Sequence, residues 1–559
     1  MKPRIALSTM DFKSYVQDGF AYVDKSGMIS ELIRSRDVFL VTRPRRFGKS
    51  MNLNMLECFF SNRSTAEEVG KLFGGLKIRA DKNAMECAGG YPVVSLSFSG
   101  LVGSTWADAL VKLSLMMRKS FEDNMAPVID KITDNFYKTL AGILNSKNIL
   151  DPKRIADYSS ILSETLKMLT QYLKEAYGKR VILLIDEYDA PLIHAHNKGY
   201  YTEAVDFIKL FLGAALKDNL CLEFAVVTGV VQIARESIFS DLNNLVVCDA
   251  FNLEFAGDFG FTEAEVLGLA KVFGREREMD SIRDWYNGYE FRNVEIYNPW
   301  SVMSYFRYGE FRSYWANTSE NTLIQDLLRG APSSDVSDLL HLLAGGHLEK
   351  TISTRLTFRD LRIGSGSVFS LMATAGYLKA VPIRENGEGH LCMVALPNKE
   401  MPNCFHGMFK SLLTESRMGE RIGDIVSAML AGDEKGFESR LNDYLIEVMS
   451  TFDSLESFYH GFMVSLAGYA YETHEIRSNR ESGTGRYDLS MTPRKADGLG
   501  VLMEFKKLGK GEDAERLLDA GLGQSDEKRY ALEMKLHGIR HITYTMVFDG
   551  KVCHVRLRR

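Results

Sequence analysis

The sequence predicts an α/β fold, with a parallel sheet near the start, a mostly helical middle and a second α/β domain at the end. Three observations carry this expectation. The apolar run Val38–Val41 leads directly into a basic loop, Arg43–Ser50 (RPRRFGKS), and then into a helical pattern. Five consecutive apolar residues, Val181–Ile185, end in Asp186-Glu187, as in a buried parallel strand with acids at its carboxyl end. The last third reads as helix, three strands, helix and closing strands, with Asp488, Glu504 and Lys506 on the strands. The expected division is 1–250, 251–400 and 401–559.

Composition narrows the class. A length of 559 residues suits two to four domains, and 45% hydrophobic with 25% charged residues is the balance of an ordinary globular protein. The net charge of −5 supplies no global nucleic-acid signature, so any such surface must be local. The seven cysteines are scattered and none forms C-x-x-C, which fits a reducing compartment and argues against a disulfide framework or zinc ribbon. The opening MKPRIALSTMDF lacks the apolar core of a signal peptide, and no stretch approaches the roughly 20 apolar residues of a membrane span. The expectation is a cytoplasmic protein without a membrane partner.

The elements of the first half follow in order. Met28–Arg34 has helical spacing, and such a helix either packs or covers a nucleotide base. Asp37–Val41 is a buried strand and Lys49–Phe60 a core helix. Tyr91–Phe98 (YPVVSLSF) is rich in β-branched residues and reads as a strand. Helices are expected over Thr105–Phe121, Ile129–Leu144 and Ser159–Tyr177, the last closed by Gly178. Leu222–Thr228 is a further apolar strand.

Arg43–Ser50 has the context of a phosphate-binding loop. A strand ends, the chain turns back, and a helix starts with free backbone N–H groups aimed at an anion. In Gly48-Lys49-Ser50 the glycine lets backbone approach phosphate, the lysine reaches the β/γ-phosphates and the serine hydroxyl holds Mg²⁺. The usual pattern, G-x-x-x-x-G-K-[ST], has glycine where this chain has Arg43, so the loop alone leaves open a basic turn before an ordinary helix. Arg45, Arg46 and Phe47 complete the loop; Pro44 would set its turn, and Arg45 or Arg46 would add charge near the phosphates. Asp186 is expected to anchor Mg²⁺ through its water shell and Glu187 to polarise the water that attacks the γ-phosphate. The strand Tyr91–Phe98 falls between the two motifs in sequence, as in the additional-strand class of P-loop ATPases. Thr228 falls where a sensor of the γ-phosphate would sit, and reads equally as a strand-end cap. Arg235 is a candidate charge sensor or a surface helix residue.

Residues from about 1 to 280 resemble the AAA-ATPase-like domain of many bacterial proteins, especially those of gut anaerobes. The resemblance rests on Arg43–Ser50, Leu183–Leu192 (LLIDEYDAPL) and Val227–Leu245 (VTGVVQIARESIFSDLNNL). That family carries Arg-Pro-Arg-Arg before the apolar residue and Gly-Lys-Ser, so the resemblance makes the absent first glycine a family trait. It implies ATP binding and does not by itself imply turnover.

In the middle, Thr262 and Glu265 form a capping box that starts a helix. The aromatic turns Trp285–Tyr289 and Tyr297–Trp300 read as packing pins, with a base-stacking platform as the rarer alternative. Residues 320–345 read as helical, and 365–400 as a helix followed by a hairpin turning at Glu385-Asn386-Gly387.

The last third holds a second constellation. After helices over 404–450 and Leu455–Tyr469, strands are expected at Ala470–Ser478, Gly485–Thr492 and Gly500–Lys507, then a helix over Asp513–His537 and strands His541–Phe548 and Val552–Arg556. Glu504 and Lys506 are two apart on one strand and share a face. Fifteen residues separate Asp488 from Glu504, enough for a hairpin that brings the acids together. Two carboxylates on one face bind Mg²⁺, and a lysine beside them orients water or stabilises the charge of a phosphorane-like transition state. A simple ion pair at a strand end is the bland alternative. Basic residues Arg477, Arg480, Arg486, Lys506, Lys507, Lys510, Lys528, Arg529, Arg556, Arg558 and Arg559 would track a phosphate backbone or form a mixed, solvated surface.

Residues from about 400 to 559 resemble the PD-(D/E)XK nuclease superfamily, with its restriction-endonuclease-like α/β fold, through Asn479–Asp488 (NRESGTGRYD), Glu504–Lys506 (EFK) and Gln524–Tyr530 (QSDEKRY). The resemblance implies metal ligands at Asp488 and Glu504 and a catalytic lysine at Lys506. Some relatives place Gln and Tyr four apart near the scissile phosphate; here Gln524 and Tyr530 are six apart. Glu456 and His460 would supply a helix-borne metal contact as in the RecB-like branch, and Glu481 belongs to the motif without an assigned role. Tyr487 stands where the motif proline would precede the acid. The combined expectation is an ATP- and Mg²⁺-dependent protein that cleaves nucleic acid, DNA first, and is a candidate homo-oligomer. The alternatives are a nucleotide-switched nucleic-acid-binding module and a signalling scaffold, both without cleavage.

Overall fold

The computed structural model describes residues 3–7, 11–131, 155–233, 242, 244–315, 324, 327, 333–343, 345–356, 367–387, 389–402, 404–405, 417–448, 459, 462–463, 466–470, 473–482, 485–495, 498–509, 511–527 and 531–559. The chain forms two compact units, residues 1–319 with 351–392, and 320–350 with 393–559.

The first unit is built on a five-stranded sheet: β1 (Val38–Thr42), β2 (Val93–Ser97), β3 (Val181–Asp186), β4 (Leu222–Gly229) and β5 (Leu245–Cys248), in the order β2-β3-β4-β1-β5. Every pairing is parallel. The central strands β3, β4 and β1 are mostly apolar and mostly buried, and all five residues of β1 are buried. The strand carrying Thr228 lies between the loop strand and the Asp186 strand. Register puts Val41 beside Thr228, Val227 beside Ile185 and Asp186 beside Ser97, so the carboxyl ends align. Ligands of open α/β sheets bind at that edge.

The helix expected at Lys49–Phe60 forms over those residues and buries Leu53, Leu56, Phe59 and Phe60. Helices Trp106–Met125 and Ile155–Tyr177 agree with expectation, the first held by a Thr105–Asp108 capping box. The helix expected over Ile129–Leu144 lies almost wholly outside the described residues. The helix Met28–Ser35 buries Met28, Ile29 and Leu32 in the core with Leu56 and Phe59, so packing is its role. The Thr262–Glu265 capping box is present, and Tyr286 and Tyr297 are fully buried among Val266, Ile282 and Tyr305, so these two tyrosines are packing pins.

The second unit carries a sheet whose order follows the chain: β6 (His474–Ser482), β7 (Gly485–Pro493), β8 (Gly500–Lys507), β9 (His541–Asp549) and β10 (Val552–Arg558). Only β8 and β9 pair in parallel. Val501, Met503 and Phe505 point to one face and pack with helices Arg417–Ala431 and Glu434–Val448. Leu502, Glu504 and Lys506 take the opposite face by strand alternation. The single helix expected over Asp513–His537 is two, Ala514–Glu527 and Leu532–Leu536. The first lies close to the sheet because Gly521 has no side chain: a Cβ there would meet Thr545 Cγ2 at 2.4 Å.

Candidate functional sites

The loop between β1 and the Lys49–Phe60 helix turns through two left-handed residues, Arg46 (φ +68°) and Gly48 (φ +83°). Glycine takes that conformation freely, whereas a residue with a Cβ gives up about 1 kcal/mol. Lys49 Nζ folds back to donate to the carbonyl oxygens of Arg43 (2.9 Å) and Pro44 (2.8 Å). Burial pulls its ammonium down to about 8, against the opposing pull of Asp186 and Asp189. The Ser50 hydroxyl donates to Asp186 Oδ2 and the Thr228 hydroxyl to Asp186 Oδ1. One carboxylate therefore joins the loop, the end of β3 and the end of β4. Glu187 follows with φ +54°, and burial pushes its carboxyl up, Asp186 adding to the shift.

A cleft with a volume of about 140 Å³ opens beside Gly48 and the first turn of the helix. Tyr22, Val23, Met51, Phe261 and Trp300 give it an apolar wall, and Asp258 borders it. The lead-in segment around Tyr22 supplies that wall, not the Met28–Ser35 helix that the sequence offered as a base cover. The Arg46 guanidinium lies 4.4 Å from the centre of the Trp300 ring.

Arg43, which occupies the usual first-glycine position, is a buried pin. Its guanidinium donates to the carbonyl oxygens of Thr42 (2.9 Å), Cys248 (2.7 Å) and Phe255 (3.3 Å) and lies 4.7 Å from the Phe291 ring centre. Phe47 points its ring into the core with Tyr289 and Phe291, while Arg45 is exposed with its carbonyl held by Trp315 Nε1 at 3.1 Å. Arg235 lies outside the described residues.

In the second unit, Leu489 opposes Met503 in the antiparallel ladder, so Asp488 and Glu504 fall on the same face. Asp488 Oδ2 accepts from the Phe505 backbone N–H at 2.7 Å, which fixes its carboxylate. Glu504 is 3% exposed, and an ionised carboxylate at that depth requires partners. Lys506 Nζ donates to Glu504 Oε1 at 2.8 Å and to Gln524 Oε1 at 2.9 Å. The structure thus brings Gln524 to the lysine, on the helix the sequence placed next. Glu481 is on β6, in register with Arg486, while His460, Glu456 and Tyr530 lie outside the described residues.

Of the basic residues expected to track a phosphate backbone, Lys510, Lys528 and Arg529 lie outside the described residues. Arg556 pairs with Glu515 and Asp519, Arg477 with Glu475 at 3.0 Å, Arg558 donates to the Leu522 carbonyl at 3.4 Å and Arg559 to that of Gly432 at 3.1 Å. These cations are engaged within the fold, and Lys507 is exposed.

Among the described residues, no cluster of three or more His, Cys, Asp or Glu side chains forms a closed metal cage. Ser50 with Asp186, and Asp488 with Glu504, are sparse sets of hard oxygen donors. Such sets fit Mg²⁺, which keeps water and phosphate oxygens in its remaining positions.

A parallel sheet with a Gly-Lys-Ser loop, an acid and a threonine at its carboxyl edge has the layout of a P-loop domain. The second sheet carries Asp488, Glu504 and Lys506 on one face. Comparison with known families agrees. Residues 6–239 match the AAA-ATPase-like family, described as a predicted AAA-ATPase, and residues 454–556 match the PD-(D/E)XK nuclease superfamily. The chain carries one domain of each kind. It is also similar to an uncharacterised protein in the vnfD 5' region of Azotobacter chroococcum mcd 1, 25% identical over 535 residues that cover 93% of this chain and 91% of that protein. Among the described residues no helix is long and apolar enough to cross a membrane.

Proposed function

We propose that the chain binds and hydrolyses ATP with Mg²⁺ and, at a second Mg²⁺-dependent site, cuts nucleic acid, DNA in the first place. The observation that supports the ATP reading most is the shared carboxylate of Asp186, which meets Ser50 and Thr228 together. Lys49 would exchange the Arg43 and Pro44 carbonyls for the β/γ-phosphates, and Ser50 and Asp186 would hold Mg²⁺. The metal, when bound, supplies charge neutralisation at the phosphates. Glu187 would accept a hydrogen bond from the attacking water and orient it, and Thr228 would register the γ-phosphate. The apolar cleft beside Gly48 would take the base. The seven unpaired cysteines support a cytoplasmic setting.

For the nuclease half, the Glu504–Lys506–Gln524 chain of hydrogen bonds is the main support. Asp488 and Glu504 would hold Mg²⁺, Lys506 would orient the attacking water or meet the charge on the phosphate, and Gln524 would keep Lys506 aimed. ATP turnover by wild type and Glu187→Gln tests the first half. The variant is expected to bind ATP like wild type and to lose turnover by about 100-fold or more; equal turnover would remove Glu187 from the chemistry.

A further inference from the structure

Asp189 stands at the start of the helix Ala190–Lys198, where an aspartate ordinarily caps the helix N–H groups. Its side chain makes no such cap. Instead Oδ2 crosses to the neighbouring strand and accepts from the backbone N–H groups of Val230 (2.8 Å) and Val231 (2.9 Å), just past the end of β4. Asp189 is only 2% exposed.

Three further contacts fasten the same two segments. Tyr188 N–H donates to the Thr228 carbonyl at 3.0 Å, and the buried Tyr188 hydroxyl donates to the Val231 carbonyl at 2.8 Å. Gly229 lies flat against this turn: a Cβ on it would meet Tyr188 Cε1 at 2.7 Å and Asp189 Oδ1 at 2.9 Å. On its other side, the Gly229 carbonyl accepts from the Arg43 N–H at 3.2 Å. Glu187, next to this staple, is held in the left-handed region that a side-chain-bearing residue occupies only under constraint.

We propose that Asp189 is a positioning residue: by clamping Val230 and Val231 it locks the Glu187 turn and the Thr228 strand end into one unit, so that the water-orienting carboxylate and the sensor hydroxyl hold a fixed spacing across the γ-phosphate. This rests on the reading that Glu187 and Thr228 act in ATP hydrolysis. In this arrangement Asp189 acts on the backbone N–H groups of Val230 and Val231 rather than on the nucleotide. Its loss disturbs geometry required in the transition state more than geometry required for ATP to bind, and a displacement of about 1 Å costs on the order of 100-fold in rate.

The test uses the full chain and compares wild type, Asp189→Ala, Asp189→Asn and Gly229→Ala for ATP affinity by calorimetry and for ATP turnover. Asp189→Ala is expected to lose turnover by about 100-fold, with affinity within about threefold. Asp189→Asn keeps an oxygen in place for both N–H groups and should recover most of that loss. Gly229→Ala presses on the staple from the other side and should reproduce the loss of turnover with affinity kept, which covers the case in which Asp189→Ala does not fold. Unchanged turnover in Asp189→Ala and Gly229→Ala, or parallel loss of affinity and turnover, would overturn the inference, as would an Asp189→Asn protein no better than Asp189→Ala. A wild-type protein that hydrolyses no ATP would instead defeat the underlying hydrolysis reading, and the inference with it.

Discussion

Arg43 Nη1 donates to the carbonyl oxygen of Cys248 at 2.7 Å, tying the first residue of the phosphate loop to the end of the edge strand β5. The same guanidinium satisfies the Thr42 and Phe255 carbonyls, so a position that is glycine in the usual motif serves here as an internal brace. Arg43→Gly restores the usual motif and is nevertheless expected to destabilise the fold by about 3 kcal/mol, because buried carbonyls lose their donor. Urea unfolding measures this; an unchanged midpoint would mean that the brace carries no weight.

The apolar cleft beside Gly48 makes a separate prediction. Trp300→Ala is expected to weaken ATP about 10-fold, the scale of one aromatic–base stack, while leaving the affinity for inorganic tripolyphosphate unchanged. Tripolyphosphate reports on the loop alone. Equal losses for both ligands would place the effect in the loop, and no loss for ATP would remove the base from this cleft.

Asp258 borders that cleft, and burial raises its carboxyl from 3.8 to about 6, with Glu31 adding to the rise. The folded state therefore binds this proton more tightly than the unfolded state, and stability falls as pH rises from about 4 to about 6, then levels. Asp258→Asn removes the dependence. Its melting temperature should exceed wild type at pH 7.5, by the equivalent of about 3 kcal/mol, with the difference shrinking as pH is lowered to 4.5. A difference that grows on acidification would contradict the assigned direction.

Lys506 holds both Glu504 and Gln524, so losing the Gln524 contact should cost less than losing the lysine. Gln524→Ala leaves the lysine anchored to Glu504 and is expected to slow cleavage about 10-fold, the scale of one neutral-acceptor hydrogen bond. Lys506→Ala should abolish it. Single-turnover cleavage of labelled DNA separates the two, and a Gln524→Ala enzyme as fast as wild type would make that contact incidental.

What was legible in the sequence was local. The Lys49–Phe60 helix and the strand Gly500–Lys507 were read to the residue because composition and punctuation agreed along a single segment. The edge strand Leu245–Cys248 was missed: it is four residues long, only Cys248 is buried, and two asparagines precede it. The braces were also invisible. Arg43 and Asp189 act on backbone groups 205 and 41 residues away, and nothing in the adjacent sequence marks such a contact. The terminal arginines looked like a phosphate track because Glu515 and Asp519, which neutralise Arg556, lie about 40 residues earlier in the chain. Gln524 was found from a resemblance, whereas its contact with Lys506 required the helix to dock at Gly521.

In the proposed function, one chain joins nucleotide chemistry at Lys49 to phosphodiester cleavage at Lys506. Cleavage of single-stranded and double-stranded DNA and of RNA by wild type, Lys49→Ala and Lys506→Ala, each with and without ATP and Mg²⁺, tests it most directly. The expected result is Mg²⁺-dependent cutting of DNA by wild type, none by Lys506→Ala with ATP turnover intact, and a changed ATP response in Lys49→Ala. ATP hydrolysis without cleavage of any nucleic acid under any condition would contradict it.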